Sequence, residues 1–115
     1  MALQQANERP IDGVFRALSD PTRRRVLERL SRSPATASEL AAPFDMALPS
    51  FVQHMGILED SGLVRSHKSG RVRIYQLAPK RMQLAEKWLT QQRHLWNRRL
   101  DQLDTYLLNL KEKMK

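Results

Sequence analysis

Three polar side chains in one short stretch could recognise another molecule through hydrogen bonds. Ser50, Gln53 and His54 follow Pro49 and are three or four residues apart, so a helix would place them on or beside one face. Glutamine can bond adenine through two hydrogen bonds, serine is permissive, and histidine can donate to guanine or to a phosphate. These side chains indicate the reading of base edges, although His54 could equally brace its own domain.

Positive side chains are concentrated just after this stretch. Residues 64–82 contain six Lys or Arg and no Asp or Glu, and three of these cations, Lys68, Arg71 and Arg73, surround a glycine. Such side chains can hold phosphates or enter the minor groove of DNA. Residues 36–63 instead contain four acidic and no basic side chains. Attraction to phosphates must therefore come mainly from outside that segment.

Two short helices are expected to position the polar side chains. Thr36 and Glu39 have the spacing of a capping box, in which each side chain accepts a hydrogen bond from the other residue's amide, and Pro43 ends this helix after about two turns. Thr36 and Ser38, at the helix start, could also contact phosphates. The second helix is expected to bury a face formed by Leu48, Phe51, Met55 and Leu58.

The cations are expected on a β-hairpin. From residue 63 the side chains alternate between two sides, with Val72 and Ile74 on one and Arg71, Arg73 and Tyr75 on the other. Ser69 and Gly70 are expected to form the tight turn, because glycine readily adopts the positive backbone angle that a two-residue loop needs. Two helices over residues 36–62, followed by a basic hairpin over residues 63–77, are typical of a winged helix-turn-helix.

Two more helices are expected before this unit. One spans residues 9–18, with an apolar edge that includes Val14, Phe15 and Leu18. The next begins at Pro21, because Asp20 suits the capping position and proline suits the first helical position. It is expected to bury Val26, Leu27 and Leu30 and to expose Arg23, Arg24, Arg25 and Arg29. These arginines could contact a DNA backbone, but a solvated face is the more common role of such a run.

A long helix is expected over residues 80–113. Large apolar side chains recur along it every seven residues in two ladders, Met82, Leu89, Trp96, Leu103 and Leu110, and Leu100, Leu107 and Met114. This pattern is typical of helices that pack lengthwise against a partner, and a small domain could hardly cover so long a stripe. We expect a homodimer whose interface includes Val14, Phe15, Leu18, Leu89, Trp96, Leu100, Leu103, Leu107 and Leu110.

Composition agrees with a single domain over residues 1–115. The net charge of +8 and the pI near 10.6 favour polyanionic partners, first of all double-stranded DNA. The absence of cysteine excludes disulfides and thiolate metal sites. The sequence has neither the apolar run of a signal peptide nor a stretch of membrane-spanning length. We therefore expect a cytoplasmic location and no membrane partner.

Three stretches of the sequence resemble the arsenic-repressor (ArsR) family of dimeric winged-helix transcription regulators. They are LSDPTRRRVLERL at residues 18–30, ASELAAPFDMALPSFVQHMGILEDSGLV at residues 37–64 and SGRVRIYQL at residues 69–77, and they occur in the family's order. The resemblance implies a mainly α fold with a small β-hairpin and terminal helices that form the dimer. It also implies a repressor that binds an inverted-repeat operator and releases it on a signal.

The sequence departs from the metal-sensing members of that family. Ala41, Ala42 and Pro43 stand where those members place paired cysteines. Other members bind zinc between their last helices through closely spaced Asp, His and Glu, whereas His94 and Asp101 are seven residues apart here. We therefore expect no metal and no cofactor.

The second helix of the helix-turn-helix, which we expect to read the bases and call the reading helix, also differs from that of many relatives. Ala47 stands where they often have a capping serine, although Asp45 could cap instead, and Val52 and Gln53 replace a small polar residue and a base. These differences predict an altered operator. The sequence does not identify the effector, a small molecule or a protein, and it does not decide between repression and activation.

Two alternatives to a sequence-specific regulator remain at this point. Positive charge alone would suffice for a nonspecific DNA-coating protein, and the acidic residues within 36–63 would suit a winged-helix protein-interaction module. An enzyme is not expected, because the three histidines lie on different elements and the sequence has no glycine-rich phosphate loop and no close pair of acids.

Overall fold

The computed structural model describes residues 9–114, which contain five helices and three strands. The helices are α1 Pro10–Leu18, α2 Pro21–Leu30, α3 Ala37–Ala41, α4 Leu48–Asp60 and α5 Pro79–Lys113, and the strands are β1 Ala35–Thr36, β2 Val64–Ser69 and β3 Val72–Leu77. The chain forms two compact units. The first, which we call the N-terminal unit, ends at Ala85, and the second, the C-terminal unit, begins at Glu86.

The helices of the N-terminal unit begin largely where the sequence signals them. Asp20 caps α2 by accepting a hydrogen bond from the Arg23 amide at 3.0 Å. The expected capping box of α3 is confirmed, because the Glu39 amide donates to Thr36 Oγ1 at 3.2 Å and the Thr36 amide donates to Glu39 Oε1 at 3.0 Å. In contrast, α4 begins after Ala47 with no side-chain cap, so Asp45 does not take over that role.

A three-stranded antiparallel sheet has the strand order β1-β3-β2. The strands β2 and β3 pair from Val64 opposite Leu77 to Ser69 opposite Val72. The hairpin loop therefore consists of Gly70 and Arg71, one residue later than expected, and Gly70 has a φ of 62°. The mainly α fold with a β-hairpin is confirmed as a winged helix-turn-helix, and the short β1 adds a strand that the sequence reading did not include.

The core of the N-terminal unit draws apolar side chains from every helix and strand of the unit. Its largest fully buried members are Val14, Val26, Leu40, Phe51, Met55, Leu58, Leu63 and Val64. Two expectations about burial were wrong, because Leu48 is exposed and Arg23 is buried. Tyr75 lies in the core, although it shares its side of the hairpin with the exposed Arg71 and Arg73. Burial, followed by the nearby charge of Glu59, raises the pKa of Tyr75, so its phenol stays protonated at neutral pH.

Gly62 follows the end of α4 and leaves space for a neighbouring side chain. It follows Ser61 with a φ of 80°, a conformation that suits glycine because it has no Cβ. A Cβ added at this position would lie 2.5 Å from Cγ of Arg81. The position therefore requires glycine twice, for its backbone angle and for the packing of the first turn of α5.

Candidate nucleic-acid interface

The first two turns of α4 present an exposed and uncharged surface. Pro49, Ser50 and Gln53 are exposed, as a reading role requires. Leu48 and Val52 are exposed beside them, by 62% and 55% respectively. No Lys, Arg, Asp or Glu occurs between Leu48 and Leu58. We call these five side chains, Leu48, Pro49, Ser50, Val52 and Gln53, the α4 outer face.

Angular positions around α4 account for the exposure of Val52 but not for that of Leu48. Phe51, Met55 and Leu58 define the buried side, and at 100° per residue Leu48 lies about 50° and Val52 about 90° from its centre. The spacing rule counted Leu48 as buried because it is three residues before Phe51. The angular position of Val52, well outside the buried arc, was the available signal that this side chain faces outward.

His54 lies at the inner border of α4 and contacts α2. Its Nδ1 atom is 2.9 Å from Nη1 of Arg23 and 3.7 Å from Oδ2 of Asp20. A guanidinium can only donate hydrogen bonds, so Nδ1 must accept, and the neutral ring carries its proton on Nε2. Of the two roles that the sequence left open for His54, this contact supports the bracing one. We call Asp20, Arg23 and His54 the Arg23 cluster.

Arg23 links α1, α2 and α4 through a single side chain. It is only 7% exposed. Its Nε donates to the carbonyl of Ala17 at 2.8 Å and its Nη2 donates to the carbonyl of Arg16 at 3.0 Å. These carbonyls lie in the last turn of α1, where a helix lacks further amides to donate to its final acceptors; that of Arg16 also accepts from the amide and hydroxyl of Ser19. The guanidinium therefore caps α1 and holds the reading helix against it.

Asp20 completes the Arg23 cluster and carries a lowered pKa. Burial of the carboxylate opposes the change, but the hydrogen bond from the Arg23 amide and the positive charge of Arg23 lower the pKa below its ordinary value of 3.8. The lowered pKa keeps Asp20 ionised further into the acid range, and the carboxylate caps α2 while it lies beside the guanidinium of Arg23.

Thr36 and Ser38 differ in their freedom to meet a phosphate. The hydroxyl of Thr36 belongs to the capping box. The hydrogen bonds of Thr36 to Glu39 lower the pKa of that carboxyl, first the bond from the amide and then the bond from the hydroxyl. Ser38 is exposed on the first turn of α3. Of the two predicted contacts, Ser38 is therefore the one whose side chain is not already used by the helix start.

The hairpin, which we call the wing, presents its cations to solvent. Lys68, Arg71 and Arg73 are all exposed, and no carboxylate among residues 9–114 forms an ion pair with them. Lys68 lies directly opposite Arg73 in the strand register, an arrangement in which like charges repel. Arg73 Nη1 donates to Ser66 Oγ at 2.9 Å, which holds this side chain along the wing.

The residues predicted for a dimer interface fall into two groups. In the N-terminal unit Val14 is fully buried, whereas Phe15 and Leu18 are half-buried. Val14 therefore has no surface to offer to a partner. In the C-terminal unit all six predicted side chains are exposed, most of all Trp96 at 65%. We call these six residues, Leu89, Trp96, Leu100, Leu103, Leu107 and Leu110, the C-terminal seam.

A cavity of about 360 Å³ lies beside α2 and α3. It is lined by arginines of α2, by Glu28 and Glu39 and by the Phe44 ring. The guanidinium of Arg25 stacks 4.9 Å from the centre of that ring.

Within residues 9–114 no three His, Asp or Glu side chains lie close enough together to share a metal ion. No helix of the described range is long and apolar enough to cross a membrane.

Comparison with known proteins gives consistent matches. Residues 18–67 match a family model described as a helix-turn-helix domain. The transcriptional repressor SdpR of Bacillus subtilis (strain 168) is 33% identical over 79 residues, which are 69% of this chain and 88% of that protein. The region matched by the family model, residues 18–67, includes the α4 outer face.

Solved structures match more of the chain. The crystal structure of an ArsR family transcriptional regulator is 56% identical, with a TM-score of 0.74 over 77% of this chain and 98% of that chain. An ArsR-like transcriptional regulator from Rhodococcus sp. RHA1 is 31% identical, with a TM-score of 0.74 over 84% of this chain and 88% of that chain.

Proposed function

Because this chain belongs to the ArsR family of winged helix-turn-helix transcriptional regulators, we propose that it acts as a homodimeric repressor of an inverted-repeat DNA operator. The observation that carries the proposal is the separation of two surfaces: an uncharged α4 outer face and a cationic wing. Base edges carry sequence information and phosphates do not, so a DNA reader benefits from dividing these contacts. The regulator is not an enzyme.

The α4 outer face reads bases in the major groove. Gln53 is exposed and can form the paired hydrogen bonds that adenine accepts and donates, and Ser50 adds a donor or an acceptor beside it. Pro49 fits the first turn of the helix because that turn needs no amide donor at this position. Since the face has no charge, its affinity for DNA depends on matched hydrogen bonds and shape more than on attraction to phosphates.

The wing supplies that attraction. Lys68 and Arg73 repel each other in the free protein, and a phosphate placed between them would relieve the repulsion. Arg71 lies in the loop itself, at the end of the hairpin. Ser38 adds a neutral contact to the DNA backbone from the start of α3. These contacts hold the protein on any duplex and set the register of α4.

The C-terminal seam joins two copies of the chain. Six large apolar side chains exposed along α5 form an unfavourable surface in water, and a seven-residue repeat suits packing against an identical helix. Phe15 and Leu18 of α1, which are half-buried, stay predicted as dimer contacts of the N-terminal unit. A two-fold dimer would offer two α4 helices to successive major grooves, about 34 Å apart on one side of the DNA.

Selection of bound fragments from genomic DNA, followed by footprinting, tests this function. We expect one protected palindrome and a dimer by analytical ultracentrifugation. Uniform protection would instead indicate a DNA-coating protein, and failure to retard any fragment at low salt would indicate a protein-interaction module. A monomer at micromolar concentration would contradict the dimer.

Replacing Gln53 with alanine tests the reading role within this function. We expect Gln53→Ala to lose discrimination between the operator and unrelated DNA while it keeps nonspecific binding, because the wing is unchanged. Ser38→Ala is the matched control, since it removes a proposed phosphate contact and should weaken binding to both DNAs equally. Equal losses on both DNAs for Gln53→Ala would contradict base reading by this residue.

A further inference from the structure

Leu48 and Val52 form an apolar row on the reading helix that the fold does not use. They are four residues apart, so they lie one above the other on the helix surface. Both are more than half exposed, although the neighbouring Phe51 is buried. The hydrogen-bonding roles proposed for Ser50 and Gln53 do not involve them.

Gly56 continues the same row one turn further along. Its φ is not positive, and an added Cβ would meet nothing within 4 Å. Glycine weakens a helix relative to alanine, and neither backbone angle nor packing requires it at this position. The row therefore has two apolar side chains followed by a position where another molecule can approach the helix closely.

The surroundings of the row decide what can cover it. It lies beside Gln53 on the same exposed face, and no charged side chain occurs between Leu48 and Leu58. Two side chains are too small a patch for a stable protein interface, which buries on the order of 1,000 Å² or more. On base edges in the major groove, the exposed apolar group is the C5 methyl of thymine.

We propose that Leu48 and Val52 contact thymine methyl groups and thereby select operators with thymine at defined positions of each half-site. This inference rests on the proposed function, because it requires α4 to enter the major groove. Hydrogen bonds from Gln53 and apolar contacts from the row then specify neighbouring base pairs. Gly56 lets the helix approach the DNA at the far end of the row.

Replacing thymine with deoxyuridine tests the proposal, since it removes only the methyl group. Each thymine of the selected operator is replaced in turn, in both half-sites together, and the affinity of the full-length protein is measured. At one or two positions we expect the affinity to fall roughly fourfold per half-site, which is the usual effect of one buried carbon group. Because both half-sites are replaced, the affinity of the dimer should fall about fifteenfold. Methyl-insensitive binding at every thymine would overturn the proposal.

Variants then assign the methyl contact to the row. Val52→Ala and Leu48→Ala should bind the thymine operator more weakly and lose most of the difference between thymine and deoxyuridine. Val52→Thr keeps one methyl group and should retain part of it. Ser50→Ala, on the other flank of α4, is the control and should keep the full difference. All three positions are exposed, and thermal unfolding checks that the four variants remain folded.

Three other outcomes would overturn the assignment. Full deoxyuridine sensitivity in both alanine variants would place the methyl contact on other residues. A change in sedimentation of Leu48→Ala or Val52→Ala, without a change in thymine preference, would make the row a protein interface. Failure to select any operator would remove the proposed function and this inference together, whereas an operator indifferent to thymine methyls removes only this inference.

Discussion

Arginine serves opposite purposes in two regions of this protein. On α2, Arg23 is buried and donates to two carbonyls and a histidine of the same chain. On the wing, Arg71 and Arg73 are exposed and form no ion pair with residues 9–114. The first side chain is committed to the fold, and the other two remain available to a partner.

The difference lies in the acceptors that surround each guanidinium. Near α2, the end of α1 offers three carbonyl acceptors. Arg23 donates to the carbonyls of Arg16 and Ala17. Arg24 donates to the carbonyl of Leu18 at 2.7 Å. The paired strands of the wing use their backbone groups between themselves. Burial of a cation is possible only where acceptors replace its water, so position, rather than residue type, decides the role.

The largest effect is expected from breaking the buried side of this comparison. Arg23→Met should lower the free energy of unfolding by about 3 kcal/mol, because the substitution leaves the buried carbonyl of Ala17 and Nδ1 of His54 without a donor. Urea unfolding measures the loss. Arg24→Met is the matched control on the exposed side of the same helix and should cost less than about 1 kcal/mol. Equal losses would contradict the distinction.

The wing should show the reverse behaviour. Arg71→Ala combined with Arg73→Ala should leave the free energy of unfolding nearly unchanged. Loss of two phosphate contacts from each subunit should weaken binding to every DNA sequence by roughly sixtyfold per subunit at 0.1 M salt and reduce the salt slope by about one for each contact. Affinity titrations at several salt concentrations measure both.

Arg24→Ala combined with Arg25→Ala provides the charge-matched control for the wing. It removes the same charge from α2, whose arginines could either contact DNA or face solvent. A smaller loss of affinity would assign α2 to solvent, and an equal loss would mean that net charge, rather than the position of the wing, controls binding.

Asp20 connects the buried cluster to pH. Asp20→Ala should cost about 1 kcal/mol of stability at neutral pH through loss of the helix cap. Because the folded pKa of Asp20 is lowered, its charge stabilises the fold above the unfolded value of 3.8, and that contribution is lost as the pH falls through the folded value. The difference in the free energy of unfolding between the wild type and Asp20→Ala should therefore shrink below about pH 4.

Asp20→Asn separates the cap from the charge. Asparagine caps helices about as well as aspartate but does not titrate, so this variant should keep most of the stability at pH 7. Unfolding curves between pH 3 and pH 7 measure the dependence. A constant gap between wild type and Asp20→Ala across this range would contradict the role of the charge.

The smallest expected effect concerns a residue that the fold does not require. Gly56→Ala should raise the free energy of unfolding by about 0.5–1 kcal/mol, because an added methyl group meets open space and alanine favours the helix. Gly62→Ala is the contrasting control and should destabilise, since its φ is 80° and Arg81 occupies the space. If Gly56→Ala is more stable but binds the operator more weakly, glycine at this position serves the DNA interface rather than the fold.

Sequence patterns predicted the helices more reliably than the orientation of their side chains. The capping box at Thr36 and the start of α2 after Asp20 appeared as expected, because local backbone groups and nearby side chains decide them. The hairpin loop moved by one residue to Gly70 and Arg71 because strand register depends on pairing with the partner strand. The positions of Leu48 and Arg23 were misjudged because burial depends on neighbours distant in sequence.

The candidate interface was predicted in part for the same reason. Exposure of Ser50, Gln53 and the wing cations agrees with the sequence reading, and their contact with DNA stays a prediction. The bracing contact of His54 could not be derived, since Arg23 is 31 residues away in the chain. The apolar row of Leu48 and Val52 was overlooked because the spacing rule counted Leu48 as buried, although the angular position of Val52 placed that side chain outside the buried arc.

The sequence by itself determined the order of the helices and the hairpin, the segregation of charge and the seven-residue repeat of α5, because short-range spacing and residue chemistry control these features. Only the tertiary structure decided which arginine is buried, which face of α4 is open and where the hairpin turns. Those outcomes require carbonyls, side chains and strands from separate segments to meet, and their meeting depends on packing of the whole N-terminal unit.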